Sequence, residues 1–121
     1  MKKTYCENIN HRIRWKTRVV MIGDIGIGGE NPIRIQSMTT TNTMDTKSTV
    51  KQSIRMIESG CEIVRITAPS IKEAKNLKNI RKEIRNSGYK TPIVADIHFT
   101  PNAALVAASL IEKVRINPGN Y

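Results

Sequence analysis

From Pro32 onward, short runs of branched aliphatic residues alternate with longer stretches in which apolar positions recur every three or four residues. "PIRIQSM" (32–38), "EIVRITA" (62–68), "TPIVADIHF" (91–99) and "VRIN" (114–117) have the β-branched density of buried strands. The stretches between them have helical spacing. "KSTVKQSIRMIESG" (47–60) places Val50, Ile54 and Ile57 on one face, with Gly60 as its stop. "SIKEAKNLKNIRKEIRNSG" (70–88) opens on Ser70-x-x-Glu73, the capping-box pattern, and lines Ile71, Ala74, Leu77, Ile80 and Ile84 along one face. Lysines and arginines fill its remaining positions, as on a solvated surface. "TPNAALVAASLIEK" (100–113) has Thr100 at the N-cap and Pro101 in the first helical position. It is apolar nearly all round, which predicts a deeply packed helix. "TTTNTMDT" (39–46) reads as a hydroxyl-rich loop and "PGNY" (118–121) as a turn.

The order is β-α-β-α-β-α-β. Helices between short buried strands predict βαβ crossovers and a parallel sheet, an α/β fold. Before Pro32, residues 1–17 are polar, basic and irregular. "RVVMIGDIGIGGENP" then sets two apolar runs around Gly23-Asp24, a dipeptide suited to a tight hairpin turn. The glycines do not form a phosphate loop, because GK[ST] is missing and no strand runs into a helix there.

Lys and Arg number 20 against 10 Asp and Glu, a net charge of +10 over 121 residues, so an anionic partner is electrostatically favoured. Much of that charge lies on helix faces. The two cysteines, Cys6 and Cys61, have no CxxC or Cys/His ligand spacing, and Cys61 reads as a buried thiol at a strand start. No apolar run approaches the ~18 residues of a membrane span. With no secretory h-region either, the expected setting is cytoplasmic.

The chemistry lies where the strands end. In parallel α/β folds ligands bind beyond the carboxyl ends of the strands, and each strand here turns polar at that end. The first ends in Gln36-Ser37, the second carries Arg65, the third Asp96 and His98, and the fourth Arg115 and Asn117. Side chains two apart share a face, so Asp96 goes with His98, and Arg115 with Asn117. Two arginines, a histidine, a carboxylate and an amide would then meet at one mouth. A guanidinium matches phosphate oxygens, a histidine donates to phosphate or shuttles a proton, and Asp96 would orient it. Each element also has a plainer reading: an arginine paired with a nearby carboxylate, Asp-x-His as two metal ligands, or Asp96 satisfying loop amides. The same polarity switch on four consecutive strands favours the joint reading, an anion-binding mouth.

"PIRIQSMT", "VRITAP", "VADIHF" and "VRINPGN", in this order and spacing, resemble the 4-hydroxy-3-methylbut-2-enyl diphosphate synthase family of non-mevalonate isoprenoid biosynthesis, from about Arg18 to Tyr121. The resemblance implies an N-terminal (β/α)8 TIM barrel and a C-terminal domain holding a [4Fe-4S] cluster. It implies reductive ring opening of 2-C-methyl-D-erythritol 2,4-cyclodiphosphate with loss of water, using electrons from flavodoxin or ferredoxin. It makes Arg65, His98, Arg115 and Asn117 substrate-binding positions, with Asp96 and Gln36 supporting them.

A closed barrel of this kind needs about 250 residues, so residues 18–121 are expected to be the first half of a substrate-binding barrel. The family's cluster ligands, three cysteines and a glutamate, belong to the other domain. The chain alone is therefore expected to bind no cluster, to be inactive, and to self-associate through its open edges, for example as a homodimer. A dihydropteroate synthase-type barrel is a second reading, but it requires a different loop after the first strand. A small basic nucleic-acid-binding module is a third, disfavoured by the scarcity of aromatics.

Overall fold

The computed structural model describes residues 8–119. Cys6, residues 1–7 of the basic N-terminal segment and the last two residues of "PGNY" lie outside the described residues. Residues 8–19 form no helix or strand. The first regular element is an antiparallel hairpin of β1 (Val20–Ile22) and β2 (Ile25–Ile27). Its turn is Gly23-Asp24. Within this turn φ is positive at Gly23 (58°), the first central position, where a hairpin turn of this sense favours glycine. A second glycine is set by close approach, since a methyl group at Gly28 would lie 2.1 Å from the Arg18 carbonyl oxygen. The glycines of this segment thus shape the hairpin.

The main sheet is parallel, with strands β3 (Gln36–Met38), β4 (Ile63–Thr67), β5 (Ile93–Ile97) and β6 (Lys113–Ile116) side by side in chain order. Neighbouring strands are joined by α1 (Thr46–Glu58), α2 (Ile71–Asn86) and α3 (Pro101–Ala108). Alternation along β4 and β5 sends Val64, Ile66, Ile93, Ala95 and Ile97 to the helix side, where they pack with Ala74, Leu77, Ile80 and Ile84 of α2 into one buried core. Each fully buried Leu or Ile there contributes about 1.5–3 kcal/mol of apolar transfer. The opposite face is built differently. At its lower end Ile63 and Val94 are covered by Ile22 of the hairpin, with Ile25 and Ile27 alongside. The hairpin therefore stoppers the amino-terminal end of the sheet, a role its sequence did not disclose.

Several boundaries shift from the sequence expectation. The first strand does not begin at Pro32. Ile33 is 87% exposed, and the Ile35 amide is taken by the Glu62 carboxylate at 2.8 Å rather than by a strand ladder. Helix α1 starts one residue early, capped by Asp45, whose carboxylate accepts from the Ser48 amide at 3.2 Å. Its fully buried positions are Thr49 and Ser53, while Val50, Ile54 and Ile57 are only half-buried. Burial of these hydroxyls is tolerated because each finds a carbonyl: Thr49 donates to Asn42 at 3.0 Å and Ser53 to Thr49 at 2.7 Å. At the start of α2, the Ser70 hydroxyl bonds the Glu73 carboxylate and makes no cap to a helix amide. Helix α3 ends at Ala108 and is not packed all round; its alanines at 103, 104 and 107 face the core while Leu105 is 70% exposed. Cys61 is buried at the entry to β4, as expected. Among the described residues no helix is long and apolar enough to cross a membrane.

If Ile22 is the stopper, Ile22→Ala should destabilise the folded protein by about 2–4 kcal/mol. Val20→Ala, at the exposed start of the same strand, should stay within about 0.5 kcal/mol. Urea unfolding of both variants checks this; equal effects would show that the hairpin merely decorates the sheet.

Candidate functional site

The sheet face that is apolar at its lower end becomes charged toward the strand ends. Asp96 is the fourth residue of β5 and aligns with Thr67 of β4 on one side and Arg115 of β6 on the other. Its side chain is 0% exposed. Arg65 reaches it from β4, with Nη2 donating to Oδ2 at 2.7 Å. Arg115 reaches it from β6, with Nη1 donating to Oδ1 at 3.0 Å. One carboxylate thus holds two guanidinium groups, one per oxygen, across three adjacent strands. The arginines remain in touch with water, their side chains being 25% and 37% exposed.

The electrostatics follow from that geometry. Burial alone would raise the Asp96 pKa. The hydrogen bond and charge of Arg65, and then those of Arg115, outweigh it and hold the carboxyl below the ordinary aspartate value of 3.8. Asp96 is ionised, and the three side chains carry one net positive charge. Each arginine spends only one terminal nitrogen on Asp96. Among the described residues Arg65 Nη1 and Arg115 Nη2 make no hydrogen bond, and Arg65 Nε is buried without a partner. The geometry leaves guanidinium donors for an anion arriving at the strand ends.

His98 follows β5, and its Nε2 lies 3.8 Å from Asp96 Oδ2. That is an ion-pair distance for a protonated ring and too long for a hydrogen bond. Asp96 thus engages both arginines by hydrogen bonds and His98 at ion-pair distance only. The His98 ring instead lies tilted against Phe99, with centroids 5.8 Å apart. Asn117, just past β6, uses its Oδ1 to accept the Gly119 amide at 3.1 Å, an Asx turn that shapes the loop after the strand. Gln36 is not brought to this cluster. It aligns with Ile63, four residues before the level of Asp96, and lines a depression with Gly28, Pro32 and Arg34 at the lower end. The β3 position beside Arg65 is Met38.

Two further carboxylates position the arginine-bearing strands. Glu62, immediately before β4, accepts the Ile35 amide at 2.8 Å and Arg34 at 3.3 Å. Glu112, immediately before β6, accepts the Ile93 amide at 2.9 Å, Arg81 at 3.0 Å and Arg85 at 2.8 Å. Burial would raise the Glu112 pKa; the Ile93 amide and the two arginines bring it below the usual glutamate range. The signal for both was available in the repeated string E-x-V-R-I at 62–66 and 112–116. It puts an anchoring glutamate three residues before each site arginine.

Because the Asp96 pKa is depressed by folding, its contribution to stability is complete above 3.8 and is lost as the pH falls below that value toward the folded-state pKa. Replacing Asp96 by Asn removes this dependence. The stability gap between parent and Asp96→Asn should be constant above about pH 5 and narrow below about pH 4. Urea titrations across that range test it, and parallel curves would mean that Asp96 is not clamped by the arginines.

Residues 17–121 match the GcpE TIM-barrel domain. Over 121 residues the chain is 51% identical to the 4-hydroxy-3-methylbut-2-en-1-yl diphosphate synthase (flavodoxin) of Akkermansia muciniphila, covering 100% of this chain and 21% of that protein. It is 60% identical over 114 residues to the protein of that name from Parabacteroides distasonis, covering 94% of this chain and 18% of the relative. The corresponding protein of Chlorobaculum tepidum is 54% identical over 105 residues, covering 87% and 14%. The chain thus spans about a fifth or less of the length of these curated relatives. Strands, connecting helices and matched domain agree: this chain belongs to the GcpE TIM-barrel family.

Proposed function

We propose that residues 18–121 form the first half of the substrate-binding barrel of a 4-hydroxy-3-methylbut-2-enyl diphosphate synthase, and that the Arg65–Asp96–Arg115 cluster grips the diphosphate of its substrate. One observation carries this reading: a fully buried carboxylate holds two arginines with donors to spare at the carboxyl ends of parallel strands. A charge-assisted bond from such a group is worth about 1.5–3 kcal/mol. Holding the guanidinium groups in place beforehand lowers the ordering cost of binding. His98, at the edge of the cluster, adds a donor to a phosphate oxygen, and Asn117 holds the loop beside Arg115.

The reaction in this reading is the two-electron reductive opening of 2-C-methyl-D-erythritol 2,4-cyclodiphosphate, with a flavodoxin-type donor as in the names of the relatives. The iron–sulfur cluster that such a reduction employs does not fit the residues described. Among them no group of three or more His, Cys, Asp or Glu is placed to hold a metal ion. Cys61 is buried with its Sγ 2.9 Å from the Ile63 carbonyl oxygen. The part assigned to this chain is to bind and orient the substrate.

In the intact enzyme, Arg115→Ala should weaken substrate binding by about 2 kcal/mol, roughly thirtyfold. Arg115→Lys should recover little of it, because an ammonium cannot span two oxygens with a planar fork. Calorimetric titration with the cyclodiphosphate checks both, and unchanged affinity in Arg115→Ala would remove the cluster from the binding site. The isolated chain should self-associate at micromolar concentration, since among the described residues β3 and β6 each pair on one side only. Sedimentation showing a cooperative monomer would count against the half-barrel reading.

A further inference from the structure

The helix side of the sheet, away from the arginine cluster, carries a feature of its own. Between α1 and α2 runs a groove of about 660 Å³. Its floor is apolar, formed by Val50, which packs against the core edge, and by Ile54; both are half-buried. Its rims are basic. Lys47, Lys51 and Arg55 stand along α1 and Lys82 on α2, with Glu83 the one carboxylate among the lining residues. All five charged residues are exposed.

The fold does not neutralise this charge. Among the described residues none of the four cations forms an ion pair. Lys47, Lys51 and Arg55 recur at i, i+4 spacing, so each has a like charge one turn away, which weakens a helix. Lys47 also puts a cation into the first turn of α1, at the positive end of the helix dipole, and that turn holds no acidic residue. The stability of α1 therefore does not account for the stripe.

Hydrocarbon between positive rims complements an amphipathic helix whose apolar face is bordered by carboxylates. Other occupants match less well. A concave floor does not meet a flat bilayer, and hydrocarbon offers nothing to a phosphate backbone. A second copy of the chain, at a net charge of +10, is repelled. The groove follows α1 from Lys47 to Arg55, about 12 Å or two helical turns, whereas stable complexes bury about 800 Å² on each partner. So short a contact suits a separate protein that binds and leaves.

We propose that the α1–α2 groove is a docking surface for an acidic amphipathic helix of a separate partner protein, with Val50 and Ile54 taking its apolar side chains and Lys47, Lys51, Arg55 and Lys82 its carboxylates. This inference stands apart from the arginine cluster and does not depend on it.

The test uses the intact enzyme and, as probe, a synthetic helical peptide of about 15 residues with leucines one turn apart and glutamates on both sides of them. Fluorescence anisotropy should give saturable binding at micromolar concentration. Lys51→Glu should raise the Kd about tenfold. The same substitution places a glutamate four residues before Arg55, so its thermal midpoint should equal or exceed that of the parent. Loss of binding with no loss of stability separates docking from a merely structural role. Ile54→Ser should also weaken binding, and Lys90→Glu, outside the groove, should not. A peptide with serines in place of the leucines should bind at least tenfold more weakly. Absence of binding by the parent overturns the proposal, as does equal weakening by Lys51→Glu and Lys90→Glu. Equal binding of the serine peptide would show general attraction to polyanions and overturn it too. Binding to phosphatidylserine vesicles that Lys51→Glu abolishes, with no peptide binding, would make the surface a lipid contact instead.

Discussion

The upper half of the sheet depends on one buried negative charge. Asp96 is removed from water on the central side of β5, and an isolated carboxylate there would cost several kcal/mol. It remains charged because β4 and β6 each bring an arginine to one of its oxygens. Neither arginine is itself fully buried, so the usual penalty of a buried ion pair falls mainly on one partner. The arrangement converts three separately formed strands into one charged unit. Its geometry is fixed by sheet register rather than by flexible loops, and that rigidity suits it to reading an oxyanion.

The inner face of the sheet is divided along its length. Ile63 and Val94 lie at the lower end under Ile22, and Arg65, Asp96 and Arg115 lie above. The two halves support each other. The hydrocarbon plug keeps water from the strand starts, while Glu62 and Glu112 hold those starts in line through backbone amides of the neighbouring chain segments. The charged end can remain open to solvent because the closed end already fixes strand position. Loop 39–45 adds its own order through Gln52, which bonds the Thr40 amide and hydroxyl, and through Asn76, which reaches the Thr43 carbonyl.

Much of this was legible in the sequence, and what was missed has physical reasons. The core face of α2 could be read directly, since Ala74, Leu77, Ile80 and Ile84 repeat at helical spacing and all prove fully buried. Parity within strands paired Asp96 with His98 and Arg115 with Asn117, and the parallel order of the strands brought Arg65, Asp96 and Arg115 to one end. The same parity could not place Gln36 along the strand axis, because a short strand shows its face but not its stagger against its neighbour. Periodicity of apolar residues found Val50 and Ile57 of α1, which pack against the core, but not the buried Thr49 and Ser53, whose hydroxyls are satisfied by the carbonyls of Asn42 and Thr49. The pairing of Asp96 with arginines rather than with His98 was likewise a matter of distances across strands. The repeated E-x-V-R-I string was the overlooked clue.

That string gives each arginine-bearing strand a built-in parity check. Glu62 and Glu112 grip a backbone amide at one end of a span whose other end carries Arg65 or Arg115. A slip of one residue would turn the arginine to the helix side, where hydrocarbon awaits it, and would also pull the glutamate off its amide. A slip of two would keep the arginine on the correct side but leave the glutamate about 6–7 Å out of place. No misalignment satisfies both ends at once. Register errors in either of these two short strands are in this way penalised at both ends, by a carboxylate without its amide or an arginine without its carboxylate.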